Sequence, residues 1–191
     1  MIRPEQVWLS QSEAALTEQQ EASEDAVMTR IGQAVILLHA GDREEARNRL
    51  GEIWSEIGEE GDSLHRCTLA HYMADAQDDP ADELTWDLRA LRAADGLGED
   101  PRPREGRTGR HEPHLAMRVF YPSLHLSLAA DYVKLRRPEA ARVHLARARA
   151  ATGALSDDGY GNGVRAAIAR LERRLAAEPD GGPRPFPEQS P

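Results

Sequence analysis

Apolar side chains in residues 26–57 recur at the spacing of two helices joined by a tight turn. The first stripe comprises Val27, Ile31, Ala34, Val35 and Leu38, and the second comprises Ala46, Leu50, Ile53, Trp54 and Ile57. Intervals of three and four residues are typical of an amphipathic helix, whereas a half-buried strand alternates. Between the stripes, Gly41 suits a left-handed helix C-terminus and Asp42 suits an N-cap. We therefore expect an antiparallel helix hairpin here.

The rest of the chain continues this helical pattern. Further helices are predicted to start near Asp62 or Ser63, at Pro80, by Leu115, near Pro138 and at Gly163, the last covering 163–177. Pro122 either kinks one long helix or starts a new one. Helix formers dominate, aromatic residues make up 5% of the chain, and β-branched runs of strand length are missing. The predicted fold class is all-α.

Three segments depart from the pattern and set the predicted domain limits. Residues 1–25 are interpreted as an N-terminal helix or arm. Residues 96–113 form a flexible insertion rich in Arg, Pro and Gly, and 179–191 form a tail that is disordered by composition. The helical domain between arm and tail covers residues 26–178.

Composition excludes several classes of protein. The single cysteine, Cys67, rules out an internal disulfide and a cysteine-based zinc site. No apolar stretch reaches the roughly 18–20 residues that a membrane-spanning helix needs. A net charge of −9 is unfavourable for general binding of nucleic acid. The N-terminus lacks the apolar stretch of a signal peptide, so a cytoplasmic location is expected, with neither membrane nor nucleic acid as partner.

Charge is distributed unevenly along the chain. Residues 1–100 contain 8 Arg and 23 acidic residues, a net charge of −15, whereas residues 101–191 contain 16 basic and 10 acidic residues, a net charge of +6. Opposite ends of this kind can associate head to tail in a homo-oligomer or bind different partners. The simpler interpretation is that the solvent-exposed helix faces differ in the sign of their net charge through neutral sequence drift, without a role in binding.

Two stretches of the chain share one sequence motif. Residues 63–72 read SLHRCTLAHY and residues 123–132 read SLHLSLAADY, with Ser, Leu, His, a later Ala and a final Tyr in register. Both stretches open a predicted helix pair. This motif is interpreted mainly as the first helix of a structural repeat that occurs twice in the chain.

The helix pairs resemble the tetratricopeptide repeat, a helix-turn-helix unit of about 34 residues. The best match is the third pair, in which Leu128-Ala129, Tyr132 and Ala141 stand at signature positions of the family. The pairs are spaced about 38 and 57 residues apart, which is wider than in the family. The resemblance covers about residues 26–152. It implies a right-handed α-solenoid of about three antiparallel helix hairpins, with the helix over 163–177 as a C-terminal cap.

The resemblance also implies a function. Members of the family present a concave groove, lined by first-helix side chains, to a protein or peptide, so we expect a non-enzymatic adaptor without a catalytic residue, cofactor or metal. Carried over by position, the groove comprises Ile31, Val35, Leu38, His39, Arg66, Ala70, Met73, Leu126, Ala130 and Lys134.

An alternative is a metal- or small-molecule-binding protein, or an enzyme, with a site around His65 and His125. These histidines occupy equivalent positions in the repeated sequence motif. Carboxylates together with histidines can carry out acid–base catalysis or bind a metal. The candidate polar residues are His65, His71, Asp75, Asp87, Tyr121, His125 and Asp131. His65 and His71 are six residues apart and therefore face different sides of their helix. The simpler interpretation is that both repeated histidines fill space and hydrogen-bond a neighbouring helix.

Overall fold

The computed structural model describes residues 26–99 and 111–177, with the backbone alone at 97–99 and 111–116. The predicted arm, the middle of the predicted insertion and the predicted tail lie outside these residues. The described ranges contain seven α-helices and no strand, which confirms the all-α fold class. No helix within them is both long and apolar enough to cross a membrane.

The helices follow one another in sequence and pack as neighbouring pairs. Their bounds are α1 over residues 26–40, α2 over Arg43–Ile57, α3 over Ser63–Asp75, α4 over Pro80–Glu99, α5 over His111–Lys134, α6 over Pro138–Ala151 and α7 over Gly159–Ala177. A single 3₁₀ turn at Thr152–Ala154 follows α6. The predicted succession of helix pairs is therefore present.

The predicted caps form as expected. Gly41 adopts a left-handed φ of 93°, and the N–H of Asp42 donates to the Leu37 carbonyl at 3.0 Å, which closes α1. The Asp42 carboxylate then accepts from the Glu45 N–H at 3.4 Å at the start of α2. At α3, Asp62 Oδ1 accepts from the N–H groups of Leu64 and His65 at 2.9 and 3.1 Å.

Three helix limits differ from the sequence-based expectation. α4 continues through Gly96 to Glu99, and α5 begins at His111, so both ends of the predicted insertion are helical. α7 begins at Gly159, four residues before the predicted start at Gly163. α5 runs through Pro122 as one helix rather than two, which is one of the two alternatives that the sequence left open. A proline in a helix interior costs about 3 kcal/mol, and burial of Pro122 with Leu124 and Leu128 offsets that cost.

The chain divides into two compact units, with the boundary between Met117 and Arg118 in α5. Unit 1 contains α1–α4. Its core is formed by the predicted stripes of α1 and α2 together with α3, and comprises Ile31, Ala34, Leu38, Ala46, Leu50, Ile53, Leu69, Met73 and Ala76. Trp54 and Trp86 pack edge to face against this core, 5.2 Å between ring centroids.

Unit 2 contains the remainder of α5, together with α6 and α7. Its core comprises Ala129, Ala141, Leu145, Ala148, Leu155, Val164, Ile168 and Leu175. Three of these residues are alanines at the contact of α5 with α6, and small side chains allow helix axes to approach closely. α7 contributes Val164, Ile168 and Leu175 to this core.

Candidate functional site

Helix α3 carries polar side chains into the interior of unit 1. It lies between α2 and α4, and seven of its 13 residues are buried. His65 is buried among them, with Nδ1 4.0 Å from Asp62 Oδ1. Thr68 is buried as well, and its hydroxyl donates to the Leu64 carbonyl at 2.8 Å. The Thr68 hydroxyl is thus satisfied within its own helix, and the His65 imidazole lies within ion-pair distance of the N-cap carboxylate.

A histidine–carboxylate pair joins α3 to α4. His71 Nδ1 lies 3.3 Å from Oδ1 of Asp87, whose side chain is buried. Burial alone lowers the pKa of His71, but the hydrogen bond to Asp87, the charge of Asp87 and the charge of Asp75 together raise it above its ordinary value. The pair therefore favours the protonated imidazole and fixes the orientation of the ring.

Cys67 does not supply a nucleophile to this pair. Its side chain is fully buried, and burial, followed by the charges of Asp87 and Asp95, raises the thiol pKa to about 12. The thiolate is the reactive form of cysteine. At neutral pH Cys67 is a protonated thiol that packs as a small apolar side chain.

A second pair of polar residues lies in unit 2, between α5 and α6. Nδ1 of His125 is 3.1 Å from Nδ1 of His144. The ring of Tyr132 lies 5.4 Å from His144, and the ring of Tyr121 lies 6.3 Å from His125. We call these four residues the histidine cluster. Burial, followed by the charge of Arg147, lowers the pKa of His144, so this imidazole is neutral at pH 7.

His144 was not among the residues selected from the sequence. A signal for it existed, because residues equally distant from the turn of an antiparallel hairpin lie opposite one another. The turn between α5 and α6 is centred near Arg136, which places residue 144 opposite residue 128 and one helical turn from His125. The repeated sequence motif instead pairs His125 with His65.

The remaining polar candidates are divided between the two units. His65 belongs to unit 1 and His125 to unit 2, so their proximity stays a prediction. Asp131 is buried in α5, 3.5 Å from Nζ of Lys134. Asp75 is exposed at the end of α3.

The predicted groove residues differ in accessibility. Four of them are buried in unit 1: Ile31, Leu38, Ala70 and Met73. The other six are exposed or partly exposed: Val35, His39, Arg66, Leu126, Ala130 and Lys134. The guanidinium of Arg66 lies 5.4 Å from the Trp54 ring centroid, and Nη1 donates to the Glu59 carbonyl at 2.5 Å. Arg66 therefore has a role within unit 1 itself.

Two exposed aliphatic side chains stand beside Val35 and His39 on the outer face of α1. Ile36 is 69% exposed and Met28 is 37% exposed. We call the face formed by Met28, Gly32, Val35, Ile36 and His39 the α1 outer face. Asp, Glu, Lys and Arg are absent from it. The sequence-based groove contained Val35 and His39 but neither Met28 nor Ile36.

The one charged residue of α1 points away from this face. The Arg30 guanidinium bonds both carboxylate oxygens of Glu56 on α2, with Nη2 donating to Oε1 at 2.9 Å. Between α1 and α2 lies a groove of about 640 Å³, lined by Arg30, Gln33, Glu45, Asn48, Arg49, Glu52 and Ile53. Its lining combines amides with two carboxylates and two guanidinium groups, and Arg49 is paired with Glu45 at 2.7 Å, so the groove is polar without an excess of either charge.

Within the described residues, no three or more His, Cys, Asp or Glu side chains are grouped so that they could hold a metal ion. Searches against protein-family models, curated proteins and solved structures find no match to this chain. Function is therefore inferred from the geometry of the two units.

Proposed function

We propose that the protein is a non-enzymatic adaptor that binds a protein or peptide through the α1 outer face. The observation that carries this proposal is the exposure of Ile36 and Met28, at 69% and 37%, on a face without Asp, Glu, Lys or Arg. Charged residues make up 30% of the chain, so a helix face that lacks them stands out from the rest of the surface. Exposed apolar patches with polar rims are characteristic of interaction sites.

The tetratricopeptide-like identity of the helix pairs belongs to this proposal. Helices that follow in sequence and pack as neighbouring pairs support it. A repeat array recognises its partner with the surface of successive helices. In this chain α1 offers the accessible apolar part of such a surface.

The chemistry of the partner follows from the surroundings of the face. Residues 26–99 contain 16 acidic residues and 7 arginines, so the surroundings of the face carry a net negative charge. We infer a peptide segment with one or two aliphatic anchors for Ile36 and Met28 and a Lys or Arg at its edge. Amphipathic helices bind apolar faces in this way, and charge complementarity selects their orientation.

The first experiment compares two substitutions at exposed aliphatic residues. Ile36→Glu places a charge on the α1 outer face, whereas Val143→Glu places one on an unrelated surface of α6, where Val143 is 51% exposed. Each tagged variant is purified gently from the native host, and the complex is weighed by native mass spectrometry. We expect Ile36→Glu to lose a partner that wild type and Val143→Glu retain at fixed stoichiometry.

Binding is then measured with the isolated segment of the captured partner. Loss of the Ile36 contact removes roughly 1.5–3 kcal/mol, the value of burying one aliphatic side chain, which weakens the complex at least about tenfold. Circular dichroism checks that both variants remain folded. Equal binding by Ile36→Glu and Val143→Glu would exclude the α1 outer face as the docking surface.

A further inference from the structure

We propose that His125 and His144 form a binding site for a divalent transition metal that prefers imidazole ligands, namely Cu²⁺, Ni²⁺ or Zn²⁺. The two Nδ1 atoms are 3.1 Å apart, and they are contributed by different helices, α5 and α6. A metal held between them would link these helices within unit 2.

The separation of the nitrogens matches that of neighbouring metal ligands. Imidazole nitrogen binds zinc at about 2.0–2.1 Å. Two nitrogens at this distance from one ion and 3.1 Å from each other subtend an angle of roughly 98° at the metal. That angle lies between the octahedral value, about 90°, and the tetrahedral value, about 109°. The ion would therefore lie to one side of the line that joins the two nitrogens, and it would displace the proton that they share in the metal-free pair.

The rings are also suitably placed to act as ligands. Both histidines are half-buried, so part of each side chain remains accessible from solvent. The ring of Tyr132 packs 5.4 Å from His144 and restricts the rotation of that imidazole.

The donor set decides which ions fit. The described residues supply no third His, Cys, Asp or Glu to this site, so water or a group from another molecule completes the coordination. Two imidazoles favour Cu²⁺ over Ni²⁺ and Zn²⁺, in the usual order of affinities, and do not select Mg²⁺ or Ca²⁺. The positive charge of Arg147 near His144 reduces the affinity. We therefore expect a site weaker than a closed three- or four-ligand centre.

The experiment isolates this pair from other histidines. His111 and His114 are three residues apart at the start of α5, so the parent protein carries His111→Gln and His114→Gln. Cu²⁺, Ni²⁺, Zn²⁺ and Mg²⁺ are titrated into it by calorimetry at pH 7.5, with native mass spectrometry reporting the stoichiometry. We expect one Cu²⁺ per chain, weaker binding of Ni²⁺ and Zn²⁺, and no binding of Mg²⁺.

Variants then assign the ligands. His144→Gln and His125→Gln, each added to the parent, are expected to weaken Cu²⁺ binding at least tenfold and to abolish the rise in Tm that the ion produces. His39→Gln changes an exposed histidine of unit 1 and is expected to leave both properties unchanged. The metal-free Tm of each variant shows whether unit 2 remains folded.

Two results would overturn the proposal. The first is that the parent protein binds no more Cu²⁺ than the variant that also carries both His125→Gln and His144→Gln. The other is a metal-induced rise in Tm that persists in both single variants. Either result would leave the pair as an imidazole–imidazole hydrogen bond between α5 and α6. Because Ile36 is not part of this site, neither result bears on the adaptor function.

Discussion

At the scale of single residues, Asp87 determines the charge state of His71 on the neighbouring helix. The carboxylate is buried in α4 and lies 3.3 Å from the imidazole, whose pKa it raises against the effect of burial. A histidine whose folded-state pKa is raised binds its proton more tightly in the native protein than in the unfolded chain. Its contribution to stability is therefore complete below the unfolded pKa of about 6.5 and is lost as pH rises through the folded pKa.

Asp87→Asn is expected to remove this pH dependence. The substitution keeps the shape of the side chain but deletes the charge that stabilises protonated His71. Hydrogen bonds to charged groups contribute about 1.5–3 kcal/mol, so we expect a loss of this size near pH 5.5 and a smaller loss near pH 8.5. The free energy of unfolding in urea at the two pH values measures both losses.

His71→Gln provides the control for Asp87→Asn. It removes the titrating group itself and leaves the Asp87 carboxylate without its cationic partner. Both variants are expected to show the same reduced difference in stability between pH 5.5 and 8.5. A variant that keeps the wild-type difference would place the pH dependence on other groups, such as His144.

At the scale of elements, the start of α7 depends on one glycine among three. Gly161 is buried, and a Cβ added there would lie 2.1 Å from the Ser156 carbonyl oxygen. Its N–H donates to Oδ1 of Asp158 at 2.8 Å, which caps the helix. Gly159 and Gly163 flank it in the same turn, and a Cβ at either would meet no atom within 4 Å. The close approach of the backbone therefore requires glycine at position 161 alone.

Substitution by alanine separates the three positions. Gly161→Ala is expected to destabilise unit 2 by about 2 kcal/mol or more, because the backbone of residues 155–156 must move to admit the methyl group. Gly163→Ala is expected to stabilise the protein by about 0.5–1 kcal/mol, since alanine loses less conformational entropy in a helix. Urea denaturation followed by circular dichroism measures both changes. Equal effects at the two positions would contradict this account of the turn.

Local patterns predicted the helices and their caps because the information is contained in a few neighbouring residues. The stripe of α1 and the pair Gly41-Asp42 are examples, and both occur as expected. The histidine cluster could not be obtained in this way, since the contact of His125 with His144 depends on the register of α6 against α5. The exposure of Ile36 depends on what lies beside α1, which no local pattern reports.

At the scale of the whole molecule, the two units carry net charges of opposite sign. Residues 26–99 of unit 1 contain 16 acidic residues and 7 arginines, whereas residues 118–177 of unit 2 contain 5 acidic and 11 basic residues. At pH 7 the net charge of −9 produces repulsion between molecules. Near the isoelectric point of about 5.3 the net charge vanishes while both units keep charges of opposite sign.

Copies of the protein are therefore expected to attract one another near pH 5.3 at low salt. Because the Debye length falls from about 30 Å at 0.01 M salt to less than 10 Å above 0.1 M, the attraction is expected to disappear at about 0.3 M salt. The second virial coefficient from static light scattering should be negative in the first condition and close to zero or positive in the second. Attraction that survives the salt would indicate an apolar contact, for which the α1 outer face is the candidate.

Two double variants with the same change in net charge test whether asymmetry is the cause. Arg170→Gln with Arg173→Gln removes two exposed cations from the basic unit, and Arg49→Gln with Arg92→Gln removes two exposed cations from the acidic unit. The first pair reduces the difference in charge between the units, and the second pair increases it. Measured at the pH where each variant has no net charge, attraction should weaken in the first and persist in the second. Equal weakening in both would mean that the total charge, rather than its distribution between the units, controls association.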